Sequence, residues 1–169
     1  FPTPAIPDMG NAIAVPASSA NAIHDSEVST AFHQLVDAWT TQSNGELRIS
    51  CVEGSVLDAL AKLEVHDARL SLLTSGEALA WLTWAGASGG AHGRRRGNAL
   101  GRDAAWWTVA ALTGQTSNWP LSGEDSMTAV NSLQWFWWDA NEATTGWNVQ
   151  LCVHHADRNR SWAFMLTDK

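Results

Sequence analysis

Residues 147–155, WNVQLCVHH, put Trp147, Val149, Leu151 and Val153 on one side of an extended chain and Asn148, Gln150 and His154 on the other. A period of two is the signature of a β-strand with one buried face. Similar segments flank it. LQWFWWD, residues 133–139, precedes it; residues 160–167 follow, with Trp162, Phe164 and Leu166 sharing a face. The connections ANEATTG and ADRN are of hairpin length, so the three strands predict an antiparallel meander.

Further strands are expected on the N-terminal side. Leu47, Ile49 and Cys51 alternate with Arg48 and Ser50, and residues 68–73 and 78–85 read as two strands joined by a turn at TSGE. The second of these, ALAWLTWA, is apolar on both faces, which suits a central or doubly covered strand. Helical spacing occurs over residues 27–40, where Val28, Phe32, Leu35 and Trp39 form a stripe behind Asp25 or Ser26 as cap. It recurs at 56–63 behind a Ser55-to-Asp58 capping box, and around 125–131. It recurs again at 99–113, between Asn98 as cap and Gly114 as a left-handed stop, with Leu100, Ala104, Trp107 and Ala111 as its stripe. Helices and strands do not alternate strictly. The pattern predicts a single α+β domain, a mostly antiparallel sheet of about six strands with about four helices packed on it. Residues 1–24 carry four of the five prolines and read as an extended or partly disordered leader, leaving 25–169 as the domain.

Composition narrows the function. The 169 residues suit one domain, and a net charge of −7 argues against nucleic acid or an anionic membrane as partner. No apolar run approaches the roughly 18 residues of a membrane span. The chain begins with Phe1 instead of Met, which leaves open the removal of a preceding segment. Cys51 and Cys152 both fall in strand-like runs, without a CxxC or Cys/His cluster, and read as buried thiols of a cytoplasmic protein with no metal site. Eleven tryptophans and no tyrosine mean that several indoles must build the core.

One stretch stands out as functional. GASGGAHGRRRGNALGR, residues 86–102, places Arg94, Arg95, Arg96 and Arg102 among glycines in an otherwise acidic chain. Glycine lets backbone N–H groups approach a ligand, a helix N-terminus offers unpaired donors, and arginine adds a bidentate fork. Gly90, His92, Gly93, Arg94, Arg95, Arg96, Gly97, Asn98 and Arg102 are therefore the candidate anion-binding set, converging on one pocket for a phosphate-bearing small molecule or an anionic partner. His92 is the candidate for proton transfer or phosphate contact. Trp135, Trp137 and Trp138 in WFWW could form a stacking platform, or an interface for a homodimer, although core packing explains them as well. Asp139, at the end of that strand, could orient an arginine of the loop or act as a base. No catalytic triad can be assembled, and no cofactor is identified.

Two resemblances bear on this stretch. Arg94-Arg-Arg-Gly97-Asn-Ala99 is similar to the pyrophosphate loop of GNAT acetyltransferases, which implies an acyl-CoA-dependent transferase. LAWLTWAGASGGAHGRRRGNALGRDAAWWTVAALTG, with the later WP, LQWFWWDANEATTGW and RSWAFMLTD, resembles an uncharacterised domain family of actinobacterial proteins, with SGGAHGRRRG as its core. That resemblance implies a bacterial, cytoplasmic setting and no established activity.

Overall fold

The alternating segments assemble as their side chains require. Strands β1 (Ile13–Ala14), β2 (Glu46–Glu53), β3 (Asp67–Leu73), β4 (Leu133–Asp139), β5 (Trp147–His155) and β6 (Arg160–Asp168) form one sheet in the order β1-β3-β4-β5-β6-β2. Every pairing is antiparallel, in a computed structural model that describes residues 2–169. The register aligns Cys51, Trp162, Val153, Trp135 and Leu73 in one row across the sheet and Ile49, Phe164, Leu151 and Trp137 in the next. These rows belong to the larger of two cores. The opposite face carries Leu70, Phe136, Trp138, Cys152 and Ala163 into a smaller one.

Six helices complete the α+β domain: α1 (Ser26–Leu35), α2 (Asp37–Gln42), α3 (Val56–Lys62), α4 (Ser75–Ser88), α5 (Asn98–Leu112) and α6 (Gly123–Asn131). The stripe at 27–40 is split, because Val36 turns out of helical geometry at φ −106° and ψ 17° while staying buried. Asp25 caps α1 by accepting from the Val28 N–H, and Ser55 and Asp58 close the expected capping box on α3. The larger core lies under α1, α4 and α5 and takes in Trp39 of α2 and Val130 of α6; α3 and the leader cover the other face.

The main correction concerns residues 78–85. They are not a strand but the middle of α4, whose Trp81, Leu82, Trp84 and Ala85 are all buried. The apolar character on both faces has a different cause: α4 lies between the sheet and α5, which bury most of its circumference and leave a narrow strip at Leu79, Ala80 and Thr83 toward solvent. The TSGE segment is a capping box, with the Thr74 hydroxyl accepting from the Glu77 N–H and the Glu77 carboxylate accepting from the Thr74 N–H.

Helix α5 also presents a different face from the expected one. Gly101, Ala105, Thr108 and Leu112 turn inward, whereas Leu100 is exposed. The reason is a close crossing of α4 and α5: a Cβ on Gly101 would overlap the Thr83 carbonyl, and one on Gly86 would lie 3.0 Å from the Gly101 Cα. These two glycines of the Gly/Arg stretch serve helix packing.

The tryptophans are core residues. Trp135, Trp137 and Trp138 are 1%, 1% and 0% exposed, and β4 is interior to the sheet. Their rings offer a ligand no stacking surface and a second copy no sheet edge, because Trp135 and Trp137 are enclosed in the larger core and Trp138 in the smaller. Trp81 sits 4.3 Å from Trp137, centroid to centroid, joining α4 to the sheet through aromatic contact.

The leader is ordered and wraps the sheet. Ile13 and Ala14 pair with β3 at one edge, Ser18 donates to Asp58 of α3 across the smaller core, and Ala22 bridges to Val52 of β2 at the other edge. Both cysteines are free and buried; burial pushes the Cys51 thiol up to about 12 and the Cys152 thiol well above its ordinary value, so neither is a thiolate at neutral pH. Among the described residues, no helix is long and apolar enough to cross a membrane.

Trp137→Ala should cost about 3–5 kcal/mol, because the cavity it leaves is walled by the sheet and α4. Leu72→Ala, at a residue 65% exposed on the open part of the other face, should change stability by less than about 0.5 kcal/mol. Urea unfolding of the two variants checks the contrast; equal costs would mean that the Trp137 packing contributes no more than an exposed position.

Candidate functional site

The Gly/Arg segment joins α4 to α5 and is built around an internal anion. The chain leaves α4 through Gly89 and Gly90 in left-handed geometry, φ 78° and 74°. A Cβ on Gly90 would collide with Oδ2 of Asp168 and touch the Trp39 indole. The Asp168 carboxylate, 1% exposed at the end of β6, accepts from the Ala91 N–H at 2.7 Å and from the Ser43 hydroxyl at 2.7 Å. The His92 N–H donates to the Ser43 oxygen at 3.1 Å, and the Arg94 N–H to the Gln42 side-chain oxygen at 3.0 Å. One backbone donor of the loop, the Ala91 N–H, thus meets a carboxylate of the protein's own, while the His92 and Arg94 N–H groups turn to neutral side-chain oxygens.

The arginines diverge. Arg96 lies back on α1, donating to the Gln34 carbonyl at 3.2 Å, while its own N–H donates to the Ala87 carbonyl. That contact places a positive charge at the C-terminal end of α1, where free carbonyls favour it. Arg102 faces a different surface beside Trp106. Arg94 is exposed and lines no cavity described here. Arg95 alone overlooks an enclosed cavity, of about 90 Å³, with Gly97, Ser88, Trp84, Trp147 and Thr3. The expected convergence of the triplet on one pocket therefore fails, because neighbouring positions are tied to different elements.

The cavity has an aromatic floor and a polar mouth. Trp84 and Trp147 stack with centroids 5.3 Å apart and planes 14° from parallel, and Trp39 meets both edge-on. Gly97, with φ 88°, is the N-cap of α5; Asn98 is instead the first helical residue. No side chain caps α5, so the donors of its first turn remain open beside Arg95. Neither Arg94, Arg95 nor Arg102 makes an ion pair among the described residues. The His92 ring is exposed and has no hydrogen-bond partner there.

The remaining candidates serve the scaffold. Asp139 does not reach the loop; Arg69 grips it with two hydrogen bonds of 2.9 and 2.7 Å, and the Asn141 N–H adds a third. Burial alone would raise its carboxyl, but the Arg69 fork and the Asn141 N–H overcome that and hold it below the usual carboxylate range. His154 and His155, neighbours on β5, point to opposite faces, His154 meeting the Ser161 hydroxyl and His155 accepting from the Arg158 N–H. No group of three His, Cys, Asp or Glu side chains among the described residues could hold a metal. The sheet has no parallel pair to splay around an acyl-CoA pantetheine, so the short R-x-x-G-x-A similarity is not accompanied by the architecture it implied.

The sequence did carry a signal for the missed partner. Trp162, Phe164, Leu166 and Asp168 share one parity along β6, so an acid continues an inward apolar stripe. Such a residue must find donors inside the fold.

A carboxyl held below its ordinary value stabilises the fold above the unfolded value near pH 4 and loses that contribution as pH falls through the folded value. Wild type should therefore exceed Asp139→Asn in stability at pH 7, and the gap should shrink at pH 3. Urea unfolding at both values checks this, and a gap independent of pH would contradict the assignment of the ion pair.

Comparison with known proteins supplies a family and no activity. No curated protein and no solved structure matches the chain. A family model described as a family of unknown function, DUF6183, matches residues 3–169. With its leader, its glycine loop and its sheet all inside that match, the chain belongs to the DUF6183 family.

Proposed function

We propose that this domain is a binding module for an anionic group, a phosphate or carboxylate presented by a small molecule or a protein partner, held at the mouth of the cavity between Arg95 and the N-terminus of α5. The observation that carries this reading is an arginine without an acidic partner over an enclosed cavity whose rim includes an uncapped helix end. Arg95 supplies a planar fork suited to an oxyanion, and the first-turn N–H groups of α5 supply further donors. Two stacked indoles exclude water from one side, which strengthens any charge-assisted hydrogen bond made above them.

Size limits the ligand. About 90 Å³ corresponds to roughly three water volumes, whereas pockets for whole drug-sized ligands run to about 300 Å³ or more. Only the charged group enters; the rest of the ligand lies outside, along the exposed side of Asn98 and Ala99. The donors around Asp168 do not contribute, since the protein's own carboxylate occupies them.

Inorganic phosphate, with succinate as the carboxylate probe, tests the assignment by calorimetric titration. Arg95→Ala should weaken binding about 10- to 100-fold, the range expected for hydrogen bonds to charged groups. Arg94→Ala, at the adjacent residue of the same loop but over no cavity, should leave affinity within about twofold. Equal losses in both variants, or no binding of either probe to wild type, would overturn the reading.

A further inference from the structure

A second surface runs along α5, and its larger trough shares no lining residue with the anion site. Two apolar troughs meet there along a shared wall of Arg102 and Trp106. In the first, of about 390 Å³, Pro2 and Pro4 of the leader face Leu79, Trp84 and Trp106. The second, of about 740 Å³, continues past Trp106 to Trp119, Pro120, Leu121 and Met127, and among the described residues none from the leader lines it.

The leader shows what kind of chain this surface takes. Residues 2–12 make no hydrogen bond to the body among the described residues, so they are held by apolar contact alone. An extended proline segment suits such a surface, because its backbone is already ordered and its carbonyls have no internal partners. The second trough has the matching features. Trp106 and Trp119 are half-buried, and neither indole N–H bonds within the described residues, so each combines an apolar face with a free donor. Trp107 fixes Trp119 edge-on at 5.3 Å, which preforms the groove. Met127 is 53% exposed at the rim, an adaptable apolar contact, and Arg102 has no acidic partner.

We infer that the trough between Trp106 and Met127 is a docking site for an extended, proline-containing segment of a partner protein, seated in line with the chain's own leader. Aromatic grooves recognise polyproline-type segments through alternate ring contacts and hydrogen bonds to exposed carbonyls. An acidic residue beside the prolines would meet Arg102.

The test uses the full chain and a capped, fluorescein-labelled peptide of its own leader sequence, PTPAIP, followed by anisotropy. Saturable binding is expected, weakened about tenfold when the three peptide prolines become alanine. Trp119→Ala should weaken it about thirtyfold, as for an aromatic hot spot. Met127→Glu, at an exposed position where folding is not in question, should weaken it in the same direction, while Arg95→Ala should leave it unchanged. The inference is overturned by absence of saturable binding or by full affinity in Met127→Glu. It is equally overturned if Leu79→Ala abolishes binding and Met127→Glu does not, which would put the peptide in the leader's place. A concentration-dependent dimer dissolved by Met127→Glu would show that a second copy covers the trough, and would overturn it too.

Discussion

The buried carboxylate of Asp168 organises the part of the molecule on which function is argued. It lies at the end of β6 and accepts from the Ser43 hydroxyl, just beyond α2, and from the Ala91 N–H, in the α4–α5 connection. Three pieces of chain far apart in sequence meet at one charge. A carboxylate buried without donors would be costly, so the loop must close around it for the sheet to end where it does. That closure needs Gly90, where any side chain would displace the carboxylate or Trp39. Past that closure the Ala87 carbonyl accepts from the Arg96 and Gly97 N–H groups, which brings the start of α5 back beside the end of α4.

The tryptophans give this arrangement a rigid base. Trp39, Trp84 and Trp147 meet in one aromatic cluster, and Trp81 joins it to Trp137 on the sheet. Large flat side chains fill the space between α4 and the sheet, and the glycine contact of Gly86 with Gly101 lets α5 approach closely enough to finish the second layer. The loop, the cavity and the trough all lie at the margins of this layered core, where helices end and the leader crosses.

The strands were legible because a period of two has no competing explanation in WNVQLCVHH or in residues 160–167. Helix α4 was not, because a helix that is apolar on nearly every face loses its periodicity and looks like a doubly covered strand; Thr74 and Glu77 held the deciding signal, a capping box easily read as a turn. The site was legible in part. Glycines marked the loop where one backbone donor, the Ala91 N–H, meets a carboxylate, but local sequence cannot say whether negative charge there comes from outside or from residue 168. Nor can it tell that Arg95 and Arg96, adjacent in the chain, face a cavity and a helix respectively, since the difference arises from tertiary contacts with Gln34 and Trp84.

Amide hydrogen exchange in Asp168→Ala tests the central claim most directly. If the loop is closed by this carboxylate, the Ala91 and His92 amides should exchange at least about tenfold faster than in wild type, as expected for loss of a hydrogen bond to a charged group, while the β4 and β5 amides stay protected. Unchanged protection at Ala91 and His92 in a folded variant would contradict it, and would mean that the glycine loop holds its shape without the internal anion.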